Sequence, residues 1–335
     1  MRALALGVFL TGVLIAFSQS ARGDGSQIEF SKRGGLFEKA FSLELSTDDE
    51  QASIRYTTDS TVPTENSGAA YVEALRVTNT TILRAALFHN GKRTSKVFTH
   101  SFLFLDHVIH QPRAPDGFPP GRAWNQMPAD YEMDPQVVNA PEYRDTIKEA
   151  LRALPSVSIV LPQEDLFGQE KGIYLHTLQK GDEWERACAL EMILPDGQTA
   201  FQIDCGIRIQ GNMNRFPQRS PKHSFRLLFR EKYGVAKLHY PVFADSPLKK
   251  FDTLVLRADY NNSWIHWDPE ARPRAQRTRD AWMKDTHRAM GWVAGHNRYV
   301  HLYLNGLYWG IYDFAERPIP ILQRPIWAGR KRITT

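Results

Sequence analysis

Three two-residue turn signals, each set between segments of alternating polar and apolar residues, do most to limit the folds open to this chain. Asn90-Gly91, Asp196-Gly197 and Asn305-Gly306 are dipeptides that support the positive φ angles of tight β-hairpins. The middle one can be tested by register. With Asp196 and Gly197 as the loop, Cys188 faces Cys205, Leu190 faces Ile203 and Met192 faces Phe201, giving one wholly apolar face, while Glu191 faces Gln202 on the other. The two cysteines, the only ones in the chain, then meet at a non-hydrogen-bonded site, where α-carbons approach to about 4.5 Å, near the lower limit for a disulfide. Two outcomes stay open: a bridge between Cys188 and Cys205, or two buried thiols packing as small hydrophobes. Pro195 argues against the two-residue loop, because it cannot donate the hydrogen bond expected beside it.

The same patterning divides the chain. Residues 26–104 read as all strand: Phe41 to Leu45 alternates with period two, Ile54 and Tyr56 continue it, and Thr81 to Phe88 runs through Asn90-Gly91 into Val97 to Phe104. This predicts a small antiparallel, immunoglobulin-like sandwich. Residues 105–154 are rich in proline and form a docking linker with one helix, whose Ile147, Ala150, Leu151 and Leu154 share a face; Trp124, Met127, Tyr131 and Met133 supply anchors to bury. Residues 155–316 are of α+β character, with strands expected at 156–161, 187–194, 201–210, 224–230, 253–258, 299–304 and 309–314. A helix is expected from about Arg277 to Met290, closed by Gly291.

The ends are distinct. Arg2, the apolar run Ala3 to Phe17 and the small polar stretch Ser18 to Ala21 have the three-part layout of a secretory signal peptide, assigned to residues 1–22. No later segment approaches the about 20 apolar residues that a membrane span requires. A secreted or cell-envelope protein is therefore expected, with no membrane association after signal cleavage. The chain holds 42 basic and 37 acidic residues; five of the basic ones, Arg317, Arg324, Arg330, Lys331 and Arg332, lie in the final stretch 317–335, which has no acid. The body is thus neutral, and nucleic acid is not expected as a partner.

Particular residues carry two resemblances. Phe30 to Phe37, Ile54 to Thr64 and Thr81 to Phe88 are similar to the chitobiase/beta-hexosaminidase C-terminal-type domain, with Asp59-Ser60 where that module usually has Asp-Gly. Leu166-Phe167-Gly168, Glu183 to Arg186, Gly206 to Gly211, Ser220 to Arg226, Phe251 to Arg257, Arg279-Asp280, His301 to Tyr312 and Glu316-Arg317-Pro318 resemble the CotH family, the spore-coat-H type of bacterial secretory kinase-like proteins. This second resemblance implies the β-rich N-terminal part of an atypical protein-kinase-like fold, ATP and Mg as cofactors, and an exported protein as the Ser/Thr substrate.

Phosphoryl transfer needs cations or N–H groups around the phosphates, carboxylates for the metal, and a carboxylate near the attacking hydroxyl. The resemblance puts Gly211, Arg215, Lys222, Asp280 and Glu316 at the ATP-binding side, with Asp280 a candidate partner for Lys222. It assigns no catalytic or metal-ligating residue, because no carboxylate follows Glu316. The tail 317–335 reads as frame-shifted or truncated, so this chain is expected to be inactive. A non-enzymatic envelope scaffold or polysaccharide-binding protein is the alternative, with self-association expected if a partner lobe is missing; a secreted hydrolase ranks third.

Overall fold

The computed structural model describes residues 27–122 and 124–317. The signal-peptide assignment and the tail from Pro318 onward lie outside the described residues. Among those described, no helix is long and apolar enough to cross a membrane.

The N-terminal unit is a sandwich. One layer is built on Thr81–His89, flanked by Ser53–Thr57 and Phe98–Phe104; Ile28–Phe30 pairs with Leu45–Thr47 and Phe41–Leu43 with Leu75–Val77 opposite it. Pairing between the strands is antiparallel except where Gly35–Phe37 returns along Phe98–Phe104 in parallel, and an isolated parallel bridge joins Asp59 to Ile82. This departs from the all-antiparallel expectation, and a short edge strand far in sequence from its neighbour is free to take either direction. Leu83, Ala85 and Leu87 point into the sandwich core with Leu43, Val77 and Phe102. Every residue from Ile82 to Phe88 is nonetheless buried, because the other face of that strand is covered as well. Ile82 packs there on Val160 and Ala189 of the second unit.

The second unit is a barrel of seven strands, β1 (Ser156–Val160), β2 (Arg186–Ile193), β3 (Thr199–Gln210), β4 (Ser224–Leu228), β5 (Thr253–Arg257), β6 (Asn297–Leu304) and β7 (Leu307–Glu316). The order is β1-β2-β3-β4-β5-β7-β6, closed by a parallel pairing of β6 with β1. Each strand ends within two residues of the span read from its alternation. Inward-facing Val157, Ile159, Leu190, Ile207, Phe225, Leu254, Leu302 and Phe314 form one apolar core, as alternation requires in a barrel too narrow for a lumen.

The β2–β3 hairpin keeps the Cys188–Cys205, Leu190–Ile203, Glu191–Gln202 and Met192–Phe201 register, but its loop differs from the two-residue expectation. The register slips after Met192, so that Ile193 meets Thr199, and Leu194 and Gln198 close a three-residue loop. Pro195 forces this: it sits where no donor is needed, and Gly197, at φ +84°, takes the left-handed position. Both thiols are free and buried, with sulfurs 3.5 Å apart.

The two units share an interface. Glu191 leaves β2 on the outer face, only 1% exposed, and accepts from the Ser101 N–H at 2.7 Å beside His100 Nδ1 at 3.2 Å. Ser101 and Ser158 hydroxyls meet at 2.7 Å, and the Thr199 hydroxyl donates to the Gly34 carbonyl. Gly34 is required there: a Cβ would lie 2.8 Å from Glu191 Oε1. The linker holds more than the one helix expected: besides a single turn at Pro135–Val138, α1 (Leu105–Ile109) and α2 (Ile147–Ala153) lay Leu105, Val108, Ile109 and Leu151 on Ile193 and Tyr303. The chain between them sends Trp124 and Tyr131 into the barrel core.

Candidate functional site

Strand pairing stops part-way along one side of β7, leaving a seam. β6 follows β7 along its whole length, but β5 pairs with β7 only over Asp313 to Glu316. Trp309 and Ile311, two residues apart, direct their carbonyls to the unpaired side. Two cationic side chains replace the missing strand. Lys222 Nζ, from the loop before β4, donates to the Trp309 carbonyl at 2.9 Å, and the Arg277 guanidinium donates to the Ile311 carbonyl. Neither cation is saturated: Lys222 has further N–H groups to give, and Arg277 Nε is buried without a partner.

Carboxylates gather beside these cations. Asp259, two residues after the end of β5, has a left-handed conformation, φ +53°. It is 4% exposed and neither oxygen has a hydrogen bond; its nearest cation is Arg277, at 3.7 Å. Burial, with Asp313 adding like charge, pushes the Asp259 carboxyl up to about 7. Asp313, on β7, accepts from Asn297 at 2.7 Å and lies 3.7 Å from Lys284 and 4.0 Å from Arg257; burial raises its pKa too. Asp280 opens α3 (Arg279–Ala289) and is bound by Arg257 and Lys284. Burial works against its charge, but Lys284 and Arg257 win and hold its carboxyl below the usual range. The Tyr299 hydroxyl donates to the Arg277 carbonyl at 2.7 Å, fixing the segment that carries the guanidinium.

The residues singled out from sequence separate into groups. Lys222 lies at the seam, and Asp280 lies near it but pairs with Arg257 and Lys284, not with Lys222 as the resemblance suggested; the helix presents its acid to the end of β5 instead of to the loop before β4. Arg215 is buried, and its guanidinium is spent on the carbonyls of Gly211, Thr177, Gln179 and Ile209. It braces the turn after β3, where Gly211 has φ +121°. Glu316 accepts from the Ser246 hydroxyl and the His296 N–H at 2.8 and 3.0 Å, tying the end of β7 to two loops. Local pattern gives no site role to Asp259, Lys284 or Asp313, and marks Arg257 and Arg277 only as the end of a motif and the start of a helix. One signal was available: Asp313 is an acid between Tyr312 and Phe314 in an otherwise apolar strand.

Magnesium does not fit this donor set. Asp259, Asp280 and Asp313 each lie within 4.0 Å of an arginine or lysine nitrogen, so a divalent ion would meet cations already in place. Among the described residues no group of three or more His, Cys, Asp or Glu side chains is placed to hold a metal ion. Anions suit the seam better, through the unspent donors of Lys222 and Arg277.

Fold and seam together define a two-unit, strand-rich protein whose barrel carries a cation-capped open edge. Comparison with known families agrees with that division. Residues 32–99 match the chitobiase/beta-hexosaminidase C-terminal domain, and residues 207–319 match the CotH kinase protein family. The chain therefore carries a CotH-type region preceded by a chitobiase-type domain, and the CotH match spans every residue of the seam. A search of curated proteins found no match.

Proposed function

We propose that this is an exported CotH-type protein that holds the phosphates of a nucleotide at the open edge of β7. The observation that carries the reading is the convergence of Lys222 and Arg277 on the Trp309 and Ile311 carbonyls, each cation keeping donors to spare. Phosphates would take those donors in charge-assisted hydrogen bonds. The described residues bind without transferring: Asp280 and Asp313 are held by cations or hydrogen bonds, and Asp259, which has no hydrogen bond, is buried away from any attacking hydroxyl. Family membership of the matched region, and not geometry, supports ATP as the nucleotide. Titration of the purified protein with ATP, with and without magnesium, tests this. A rise in melting temperature that is lost in both Lys222→Ala and Arg277→Ala is expected; a rise unchanged in both variants overturns the site. Movement of label from the γ-phosphate onto protein would overturn the assignment of binding without transfer.

A second reading is favoured by a separate feature. Trp264, Trp267, Trp282 and Trp292 are 68%, 46%, 64% and 64% exposed, and exposed indoles stack on sugar faces. A non-catalytic envelope protein that binds polysaccharide would co-sediment with insoluble glycan and show no response to nucleotide.

A further inference from the structure

The linker reaches the seam. Trp124 is fully buried; its ring centre lies 5.0 Å from that of Trp309 and 5.6 Å from that of Tyr174, and its indole N–H donates to the Tyr131 hydroxyl at 3.2 Å. The Lys222 ammonium lies beside both indoles, 6.0 Å from the centre of Trp124 and 5.7 Å from that of Trp309. Among the described residues no carboxylate forms an ion pair with it. Burial lowers its pKa, opposed by Asp130 of the same linker segment. The cation that the nucleotide reading needs is therefore occupied by an aromatic side chain from outside the barrel.

The segment that delivers Trp124 is held in an unfavourable turn. Trp124 and Met127 exchange backbone hydrogen bonds of 3.3 and 3.0 Å around Asn125 and Gln126, which have φ of +49° and +69°. Both central residues of such a turn sit in the left-handed region, where asparagine is tolerated and glycine is preferred at the second position. Glutamine there costs free energy that a glycine would not. The far end is fastened by Gln111, whose side-chain amide donates to the Tyr131 and Tyr308 carbonyls. One end of the segment is anchored and the other is strained.

We propose that residues 124–131 form a strap that gates the seam: closed, it seats Trp124 on Lys222, and a phosphate reaches the ammonium only when the indole withdraws. This rests on the nucleotide reading for its ligand, but the gate itself does not. Apparent affinity is then the intrinsic affinity multiplied by the open fraction, so changes that stabilise the closed strap weaken binding.

Two variants should move in opposite directions. Gln126→Gly relieves the turn and is expected to raise the melting temperature while weakening ATP binding several-fold. Trp124→Ala removes the plug and is expected to lower the melting temperature while tightening ATP binding; Trp124→Phe serves if the alanine variant does not fold. Acylation of Lys222 by an amine-reactive reagent, followed by mass spectrometry, reads the gate without nucleotide, and its rate should rise in the order Gln126→Gly, parent, Trp124 variant. Equal Lys222 rates in all three proteins would overturn the strap. If the rates follow the order but no protein binds ATP, the strap stands and the nucleotide reading falls.

Discussion

Among single residues, Asp259 has the most to say about pH. Its carboxyl titrates near 7 in the fold, against about 3.9 in an unfolded chain. The folded state thus holds the proton more tightly, so stability from this group is complete below pH 4 and is lost as pH rises towards 7. Linkage sets an upper bound of about 4 kcal/mol on that loss, at 1.36 kcal/mol per unit. Asp259→Asn keeps the shape, and asparagine accepts the left-handed backbone. The difference in unfolding free energy between variant and parent should favour the variant increasingly from pH 4 to 7 and then level off; a pH-independent difference would contradict the assignment. The cysteines make a different residue-scale case. A hydrogen bond donated to Cys188, and then burial, raises the Cys205 pKa well above the usual thiol value. Both thiols are buried and a reagent needs an accessible thiolate, so neither cysteine should label in the native protein and both should label in denaturant. Failure to label in denaturant without reductant would show a bridge.

At the scale of elements, the junction between sandwich and barrel depends on one acid. Glu191 satisfies the buried Ser101 N–H from a strand of the other unit. Glu191→Ala leaves that donor without a partner and opens the packing around Gly34, at a cost of about 2–4 kcal/mol. Calorimetry should then show the unfolding of the two units separating into two transitions, where the parent shows one. Helix α3 is attached by the opposite kind of contact. None of its residues is buried; Asp280 pairs with Arg257 of β5, Lys284 lies 3.7 Å from Asp313 of β7 and Arg288 pairs with the loop residue Asp245, while Trp282 and Met283, with Met290 just past the helix end, are exposed. A helix normally buries its apolar stripe, and this one is inverted. Its pairs are partly exposed and worth about 1 kcal/mol or less each, so amide exchange in α3 should quicken in high salt more than exchange in the barrel strands.

For the whole molecule, the inverted helix adds Trp282, Met283 and Met290 to Trp264, Ile265, Trp292 and Val293 on the surface. Exposed apolar area of this kind marks an interaction surface or a site of aggregation. Sedimentation should therefore show concentration-dependent association of the parent, reduced by Trp282→Glu; a monomer across the concentration range would remove the patch from consideration. Strap, seam and helix lie on elements far apart in sequence: the linker, the loop before β4, the segment before α3, and β7. Their meeting is a property of barrel closure.

How much was legible follows from the range of each interaction. Alternation and turn chemistry act between neighbours, so the strands, the Asn90-Gly91 and Asn305-Gly306 hairpins, and the facing of Cys188 and Cys205 could be read from residue order alone; the Pro195 objection even located the loop that differs. The seam could not be read. Whether β7 has a partner at Trp309 depends on where β5 stops, and whether Lys222 meets a carboxylate or a carbonyl depends on which strand fails to arrive. Local patterning by itself determined the elements and their registers. Only the tertiary structure decided the closure of β6 on β1, the docking of the sandwich through Glu191 and the cationic edge under Trp124, because each is a hydrogen bond or ion pair whose partner is chosen by the packing of distant strands.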